Sequence, residues 1–255
     1  MSRVLTALVL IPVVSWIIFF APYPVFWAVV VLFAVLCYRE YSGLVAGHGF
    51  LTMPIAGYGV GLLVLAELHH YTQWLPVLTA VAALTLALRT PNLRDALGSA
   101  AAFCLGIFYI FGSWNSALSL RQASAHWLFF AIALNWAGDI AAYYTGRALG
   151  RHKLAPRVSP GKTWEGAAGS LAACLIFGLV YLGWAFPQMP FWQRALVSVA
   201  GNIAGQVGDL AESALKRGAG VKDSGTMLPG HGGWLDRLDS SLFSMPVVAA
   251  IRSLL

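Results

Sequence analysis

The sequence predicts an all-α fold, a polytopic membrane bundle of about nine transmembrane helices with the active site at the cytoplasmic end. Three observations predict it. Composition comes first: 59% of the 255 residues are hydrophobic and 10% charged, against roughly 25% charged in an average soluble domain. The mean hydropathy of +0.73 is more apolar surface than a soluble core absorbs. The second is a series of nine apolar runs, and the third is the way the cations alternate between their connections.

The apolar runs fall at about 4–21, 24–38, 53–68, 73–88, 97–120, 126–146, 166–186, 191–213 and 241–255. Each is near the ~17–25 residues that a spanning helix needs. The first imitates a signal peptide, but its apolar stretch is long and lacks a clear small-residue cleavage site, so we expect an uncleaved helix. Pro22 and Pro24 part the first two runs, and Pro187 and Pro190 part the seventh and eighth. Gly43, Gly47 and Gly49 are expected to form a flexible connection. Glu67 ends the third run, and His69–His70 suits an interfacial loop better than a metal site. Cys37, Cys104 and Cys174 lie singly within apolar runs, which suits packing rather than disulfides or zinc. Charge divides the chain in two: residues 1–125 are N-terminal helices, and 126–255 form a polar-rich catalytic region with loops at 147–165 and 214–240.

Numbering each connection by the helices before it gives an independent test. Even-numbered connections carry Arg3, Arg39, Arg89, Arg94, Arg147, Arg151, Lys153, Arg157, Lys162, Lys216, Arg217, Lys222 and Arg237, thirteen of the 16 Lys and Arg residues. Only Arg121, Arg194 and Arg252 lie on the other side. Cytoplasmic loops are enriched in cations, so the N-terminus and both long polar loops are expected in the cytoplasm. This also accounts for the net charge of +6 without a nucleic-acid partner.

Three polar constellations interrupt the apolar background. In the sixth run Asn135, Asp139, Tyr143 and Arg147 recur every four residues and share one helix face. A carboxylate deep in a span costs several kcal/mol unless paired or solvated, which makes Asp139 a functional candidate. Next, GRHKLAPRVSPGKTWEG gathers Arg151, Lys153, Arg157 and Lys162. There Ser159 and Pro160 fit a helix start, whose free N–H groups beside Lys162 and Thr163 would suit a phosphate. The G-K-T triplet lacks the first glycine and the strand of a P-loop.

The third constellation runs from the eighth apolar segment into SALKRGAGVKDSGTMLPGHGGWLDRLD. Asn202, Gln206, Asp209, Ser213, Lys216 and Arg217 make a polar stripe at helical spacing. Lys222 and Asp223 follow, then a glycine-rich PGHGG turn that lets backbone amides approach a ligand. Asp236 and Asp239 share a face if DRLDS opens a helix. Asp209, Asp236 and Asp239 could then meet as hard oxygen ligands, a set for Mg²⁺ rather than Zn²⁺. Half of the chain's ten acidic residues (Asp209, Glu212, Asp223, Asp236 and Asp239) lie in or just before this segment. Cations that neutralise phosphates beside carboxylates that bind a hard metal suggest phosphoryl or nucleotidyl transfer.

This long run strongly resembles the signature of phosphatidate cytidylyltransferases, S-x-φ-K-R, four residues, K-D, then P-x-H-G-G-φ-x-D-R-φ-D, with φ apolar. NWAGDIAAYYTGR and SPGKTWEG are similar to further blocks of that family, so the likeness covers residues 130–245. Trp234 stands where a smaller apolar residue is usual, and Gly161 where Lys is common. The resemblance implies that phosphatidic acid attacks the α-phosphate of CTP, giving CDP-diacylglycerol and pyrophosphate, with Mg²⁺ as cofactor and a second cation as an option. It implies Asp209, Asp236 and Asp239 as metal ligands, and Lys162, Lys216, Arg217 and Lys222 on phosphates. Asp139, Glu165, Asp223 and His231 would position ligands or cations, and Thr163, Ser213 and Arg237 complete the substrate-binding set. It implies a homodimer in the cytoplasmic (inner) membrane of a bacterial-type cell. Two rival readings are an ion-coupled transporter using Asp139, Asp209 and the polar stripe, and another CTP-dependent lipid enzyme such as a polyprenol kinase. The clustering of charge at one end of the spans opposes the first, and the length of the signature opposes the second.

Overall fold

The computed structural model describes residues 2–66, 74–227 and 232–255, with side chains from residue 11 onward. Glu67, His69, His70 and His231 lie outside the described residues. Among the described residues nine continuous helices follow one another. They are α1 (Ser2–Phe20), α2 (Tyr23–Gly47), α3 (Pro54–Leu65), α4 (Leu75–Ala87) and a long composite, then α7 (Ala125–Leu149), α8 (Trp164–Ala185), α9 (Phe191–Gly218) and α10 (Leu235–Leu254). The composite joins α5 (Ala96–Gly106), a π-helical stretch Ile107–Gly112 and α6 (Ser113–Ala123). By length and composition three helices among the described residues can cross a membrane: α2, the stretch Leu93–Ala123 and α8. α3 and α4 are apolar but have only 12 and 13 residues, fewer than the ~17 expected of a full span.

Local chemistry sets most of these boundaries. Proline, whose missing N–H costs nothing in a first turn, opens α2, α3 and α4. Ser124 caps α7 by accepting the His126 N–H at 3.2 Å. Four expectations need correction. Ser159 and Pro160 do not start a helix but lie in strand β2 (Ser159–Thr163), which pairs antiparallel with β1 (Lys153–Ala155). The cap of α8 is Thr163 instead, whose hydroxyl accepts the Gly166 N–H at 3.1 Å. This small hairpin is the one sheet among the described residues of an otherwise mainly helical chain. Gly43 and Gly47 sit inside α2, whose apolar period continues past Arg39 through Leu44 and Val45, so only Gly49, at φ +83°, belongs to a turn. Finally, α9 continues to Gly218 and α10 begins at Leu235, so much of the expected 214–240 loop is helical.

α7, α8, α9 and α10 pack on one another, and α2 reaches across to α6, α9 and α10. Their common core includes the fully buried Phe111, Phe130, Leu134, Leu242 and Met245. Exposed apolar residues recur at three- and four-residue spacing on the outside, as in Leu78, Val81 and Leu84 of α4 and Ile176, Val180 and Trp184 of α8. Such stripes suit faces turned to lipid.

Between the helices runs a polar seam. Asn135 Nδ2 lies 2.8 Å from Ser244 Oγ and 3.3 Å from Ser241 Oγ, joining α7 to α10. Asn202 Nδ2 donates to Ser170 Oγ at 2.9 Å, and Gln206 Nε2 donates to Asn202 Oδ1 at 2.7 Å. Small residues let the backbones close on these groups. A Cβ at Gly205 would run into Asn135 Oδ1, and one at Gly208 would meet the Asp239 carbonyl oxygen at 2.8 Å. The lower half of the expected polar stripe thus binds helix to helix. Cys37 and Cys174 are buried, and all three cysteines are free.

Candidate active site

Chain direction brings the charged residues to one end of the bundle. α7 and α9 finish there, α10 starts there, and the β1–β2 hairpin lies between α7 and α8. Lys162 on β2 reaches α9, where its Nζ lies 2.6 Å from Asp209 Oδ2. Arg217 Nε donates to the Val158 carbonyl at 3.4 Å, a second tie between hairpin and α9. His152, at the entry to the hairpin, holds Glu165 Oε1 at 2.6 Å through Nδ1. Glu165 therefore anchors the loop to α8, and the Thr163 hydroxyl is engaged in the cap of the same helix.

Lys216 occupies the centre. Its ammonium lies 2.8 Å from Glu212 Oε2, one turn back on α9, and 2.5 Å from Asp236 Oδ1 on α10. Glu212 is fully buried, and the Asp236 side chain is only 5% exposed. Opposite charge is what makes such burial tolerable. The second Asp236 oxygen, Oδ2, accepts the backbone N–H groups of Ser224 and Gly233, each at 2.8 Å, and lies 2.9 Å from Ser224 Oγ. One carboxylate thereby folds the connection between α9 and α10 back on itself.

Asp236 does not join Asp209 and Asp239 as the spacing suggested. Among the described residues no three His, Cys, Asp or Glu side chains form a ready-made metal site, and Asp236 is held by Lys216 and by the loop amides. Asp209 and Asp239 do face one another electrostatically, and Asp139 is within the same reach of both. Lys162 and Arg237 complete the surroundings of Asp139. Ser213 Oγ donates to Asp209 Oδ1 at 3.3 Å. Asp209, Glu212 and Asp139 thus all act electrostatically on Asp239, with Lys162 and Arg237 acting on Asp139.

The remaining candidates are placed less tightly. Lys222 and Asp223 are exposed on the connection, with the Asp223 Cβ close to Gly232. Gly232 has φ +77°, a left-handed conformation suited to glycine. His231 lies outside the described residues. Arg147 donates to the Tyr143 hydroxyl at 3.0 Å, so the lower part of the α7 stripe stays on its own helix.

Two residues of the site have no assigned role in the sequence pattern. Glu212 belongs to the acid cluster, and the signal for its part was its i,i+4 spacing to Lys216. Glu40 lies in the N-terminal half, 6% exposed. It accepts the Trp234 N–H on Oε1 at 3.0 Å and the Leu235 N–H on Oε2 at 2.8 Å. The signal available was a carboxylate on a helical face that stays apolar on both sides of it.

Comparisons with known proteins show the family. A family model described as "Cytidylyltransferase family" matches residues 1–255. The phosphatidate cytidylyltransferase of Staphylococcus haemolyticus is 43% identical over 149 residues, 58% of this chain and 57% of the relative. That of Bacillus subtilis is 43% identical over 136 residues, 53% of this chain and 51% of the relative. These two matches thus span little more than half the length of the curated relatives. For the Staphylococcus aureus (strain COL) protein of the same name the identity is 36% over 205 residues, 78% of this chain and 79% of the relative. With the family matched from end to end and the signature gathered at one end of the bundle, the chain belongs to the cytidylyltransferase family.

Proposed function

We propose that the protein is a phosphatidate cytidylyltransferase, transferring CMP from CTP to phosphatidic acid and releasing pyrophosphate. The observation that carries this reading is the pairing of carboxylates of α9 and α10 with cations of the hairpin and α9, Lys162 with Asp209 and Lys216 with Glu212 and Asp236. The three relatives compared above support it, since each bears that name. In the reaction a phosphate oxygen of the lipid forms a bond to the α-phosphorus of CTP, and the bond to the β-phosphate oxygen breaks. The nucleophile is already anionic near neutral pH, so no strong general base is required. The barrier is repulsion between two anions.

Lys162, Arg217, Lys222 and Arg237 are the cations placed to meet phosphates. Lys162 can exchange Asp209 for a phosphate oxygen at little cost, since both partners are about a quarter to a third exposed. Lys216 acts differently, neutralising Glu212 and Asp236 and holding the connection shut over α10. The donor chemistry fits Mg²⁺, because Asp209, Asp239 and Asp139 offer oxygen alone. Asp209 and Asp239 would hold the ion with Asp139 beside them, and Asp236 would act chiefly through the loop that it folds. When bound, Mg²⁺ supplies charge neutralisation at the reacting phosphates.

The apolar faces suit a bilayer in which the acyl chains remain while the lipid phosphate meets CTP at the interface. We place that interface on the cytoplasmic side from the distribution of Lys and Arg. Nine spans and a homodimer in the inner membrane are part of the same reading. The test is conversion of labelled CTP by purified protein in detergent, with and without phosphatidic acid and Mg²⁺. A CMP-bearing lipid and pyrophosphate, dependent on both, are the expected products. A phosphorylated lipid with CDP would make the protein a kinase, and no turnover by folded protein would restore the transporter.

A further inference from the structure

We propose that Glu40, on α2, is a positioning residue for this reaction, fixing the start of α10 and with it Asp236 and Asp239. The inference rests on the cytidylyltransferase reading above, but the contacts that suggest it come from a helix outside the signature. α10 receives no capping hydrogen bond from the side chain of Trp234, the residue at its own N-cap position. A helix start leaves N–H groups without partners, and an anion placed there satisfies them and complements the helix dipole. Glu40 supplies that anion from a helix nearly two hundred residues away in sequence. Its two oxygens accept the Trp234 and Leu235 N–H groups separately. Oε2 also lies 2.8 Å from Ser224 Oγ, the hydroxyl that touches Asp236 Oδ2.

The connection is built around this carboxylate. A Cβ on Gly225 would meet Glu40 Oε1 at 2.6 Å, and one on Gly233 would strike Oε2 harder still. Both glycines therefore leave room for Glu40. The Trp234 ring, larger than the signature's usual residue, packs edge-on against Phe33 of α2 with centroids 5.0 Å apart. At the other end of the connection, His48 Nε2 donates to the Leu215 carbonyl in the last turns of α9 at 2.9 Å. α2 thus holds both ends of the segment that carries Lys222, Asp223 and the glycine-rich turn.

Glu40→Gln tests this with little change in size. A carboxamide has one oxygen, so one of the two N–H groups loses its acceptor. The purified variant is assayed with CTP and phosphatidic acid in mixed micelles, and hydrogen–deuterium exchange is followed in peptides covering residues 232–240. We expect kcat to fall about tenfold or more, with a smaller change in the KM for CTP. Faster exchange should be confined to the start of α10. Unchanged kcat in an active preparation overturns the proposal. So does a loss of activity with faster exchange throughout the helices, since Glu40 would then be structural only. If Glu40→Gln does not fold, Ser224→Ala takes its place, with a fall in kcat of about threefold and the same local exchange. No change in either overturns the proposal. An inert wild type would instead defeat the cytidylyltransferase reading, and the exchange measurement would still show whether Glu40 holds α10.

Discussion

Lys162 Nζ lies 2.6 Å from Asp209 Oδ2, and this contact fastens the β-hairpin over the end of α9. The pair is partly solvated on both sides, with side-chain exposures of 26% and 31%. Such a pair adds little to stability, about 0–1 kcal/mol. Its importance lies in what it presents to an incoming phosphate. We therefore expect Lys162→Ala to leave the melting temperature in detergent nearly unchanged. The KM for CTP should rise about tenfold, the equivalent of one charge-assisted hydrogen bond. Steady-state kinetics and a thermal melt on the same preparation check both halves.

Lys216 should behave in the opposite way. Lys216→Met leaves Glu212 and Asp236 buried beside each other without a cation. Removing one partner of a buried ion pair costs about 3–5 kcal/mol. A large fall in melting temperature is expected together with loss of turnover, and a melt near the wild-type value would contradict the buried geometry.

Asp236→Asn keeps the shape of the side chain but removes the charge that meets Lys216. It also replaces one acceptor oxygen with a donor. Turnover should fall at least about a hundredfold while the protein still inserts and purifies. Retained activity with Mg²⁺ would refute the role given to this carboxylate.

Chelation of divalent ions should abolish turnover, and Mg²⁺ should restore it better than Zn²⁺, because the neighbouring donors are carboxylate oxygens. Asp239→Asn should raise the Mg²⁺ concentration required for half-maximal activity by about tenfold or more. An unchanged Mg²⁺ requirement in that variant would exclude Asp239 as a ligand.

Close packing between α9 and α10 gives a prediction independent of chemistry. Gly208→Ala places a methyl group 2.8 Å from the Asp239 carbonyl oxygen and 2.9 Å from Phe243 Cβ. Neither neighbour is the free end of a flexible chain, so about 1–3 kcal/mol of destabilisation is expected from overpacking. A thermal melt in detergent measures it.

Much of this architecture was legible in the sequence because lipid-facing helices are read from apolarity, which is local. The eighth apolar run begins at Phe191 as the helix does, and the first starts and stops within two residues of α1. The ends facing the site were misjudged for one physical reason. Polar residues end a hydropathy run without ending a helix, so α2 and α9 continue well beyond their apolar stretches. The polar stripe marked Asp209 and the signature marked Lys216 and Asp236, but their division of labour depends on contacts between helices. The i,i+4 spacing pairs Lys216 with Glu212, but nothing in it tells that Lys216 also reaches Asp236 while Arg217, its neighbour, turns to the hairpin. Glu40 stood out only as a carboxylate on an apolar face; its task was not legible, because its partners include backbone amides at the start of α10, and backbone amides leave no mark in a sequence.

The spacing of Glu212 and Lys216 on one helix also bears on how the chain enters its membrane. A lone carboxylate or ammonium opposes insertion, yet these two lie one turn apart and 2.8 Å from each other. α9 therefore holds both charges as an internally neutral pair, without any contribution from α10. Asp236 arrives afterwards, on the helix that follows, and finds its counter-ion already waiting. The order of the helices along the chain is thus also an order in which these charges can be balanced.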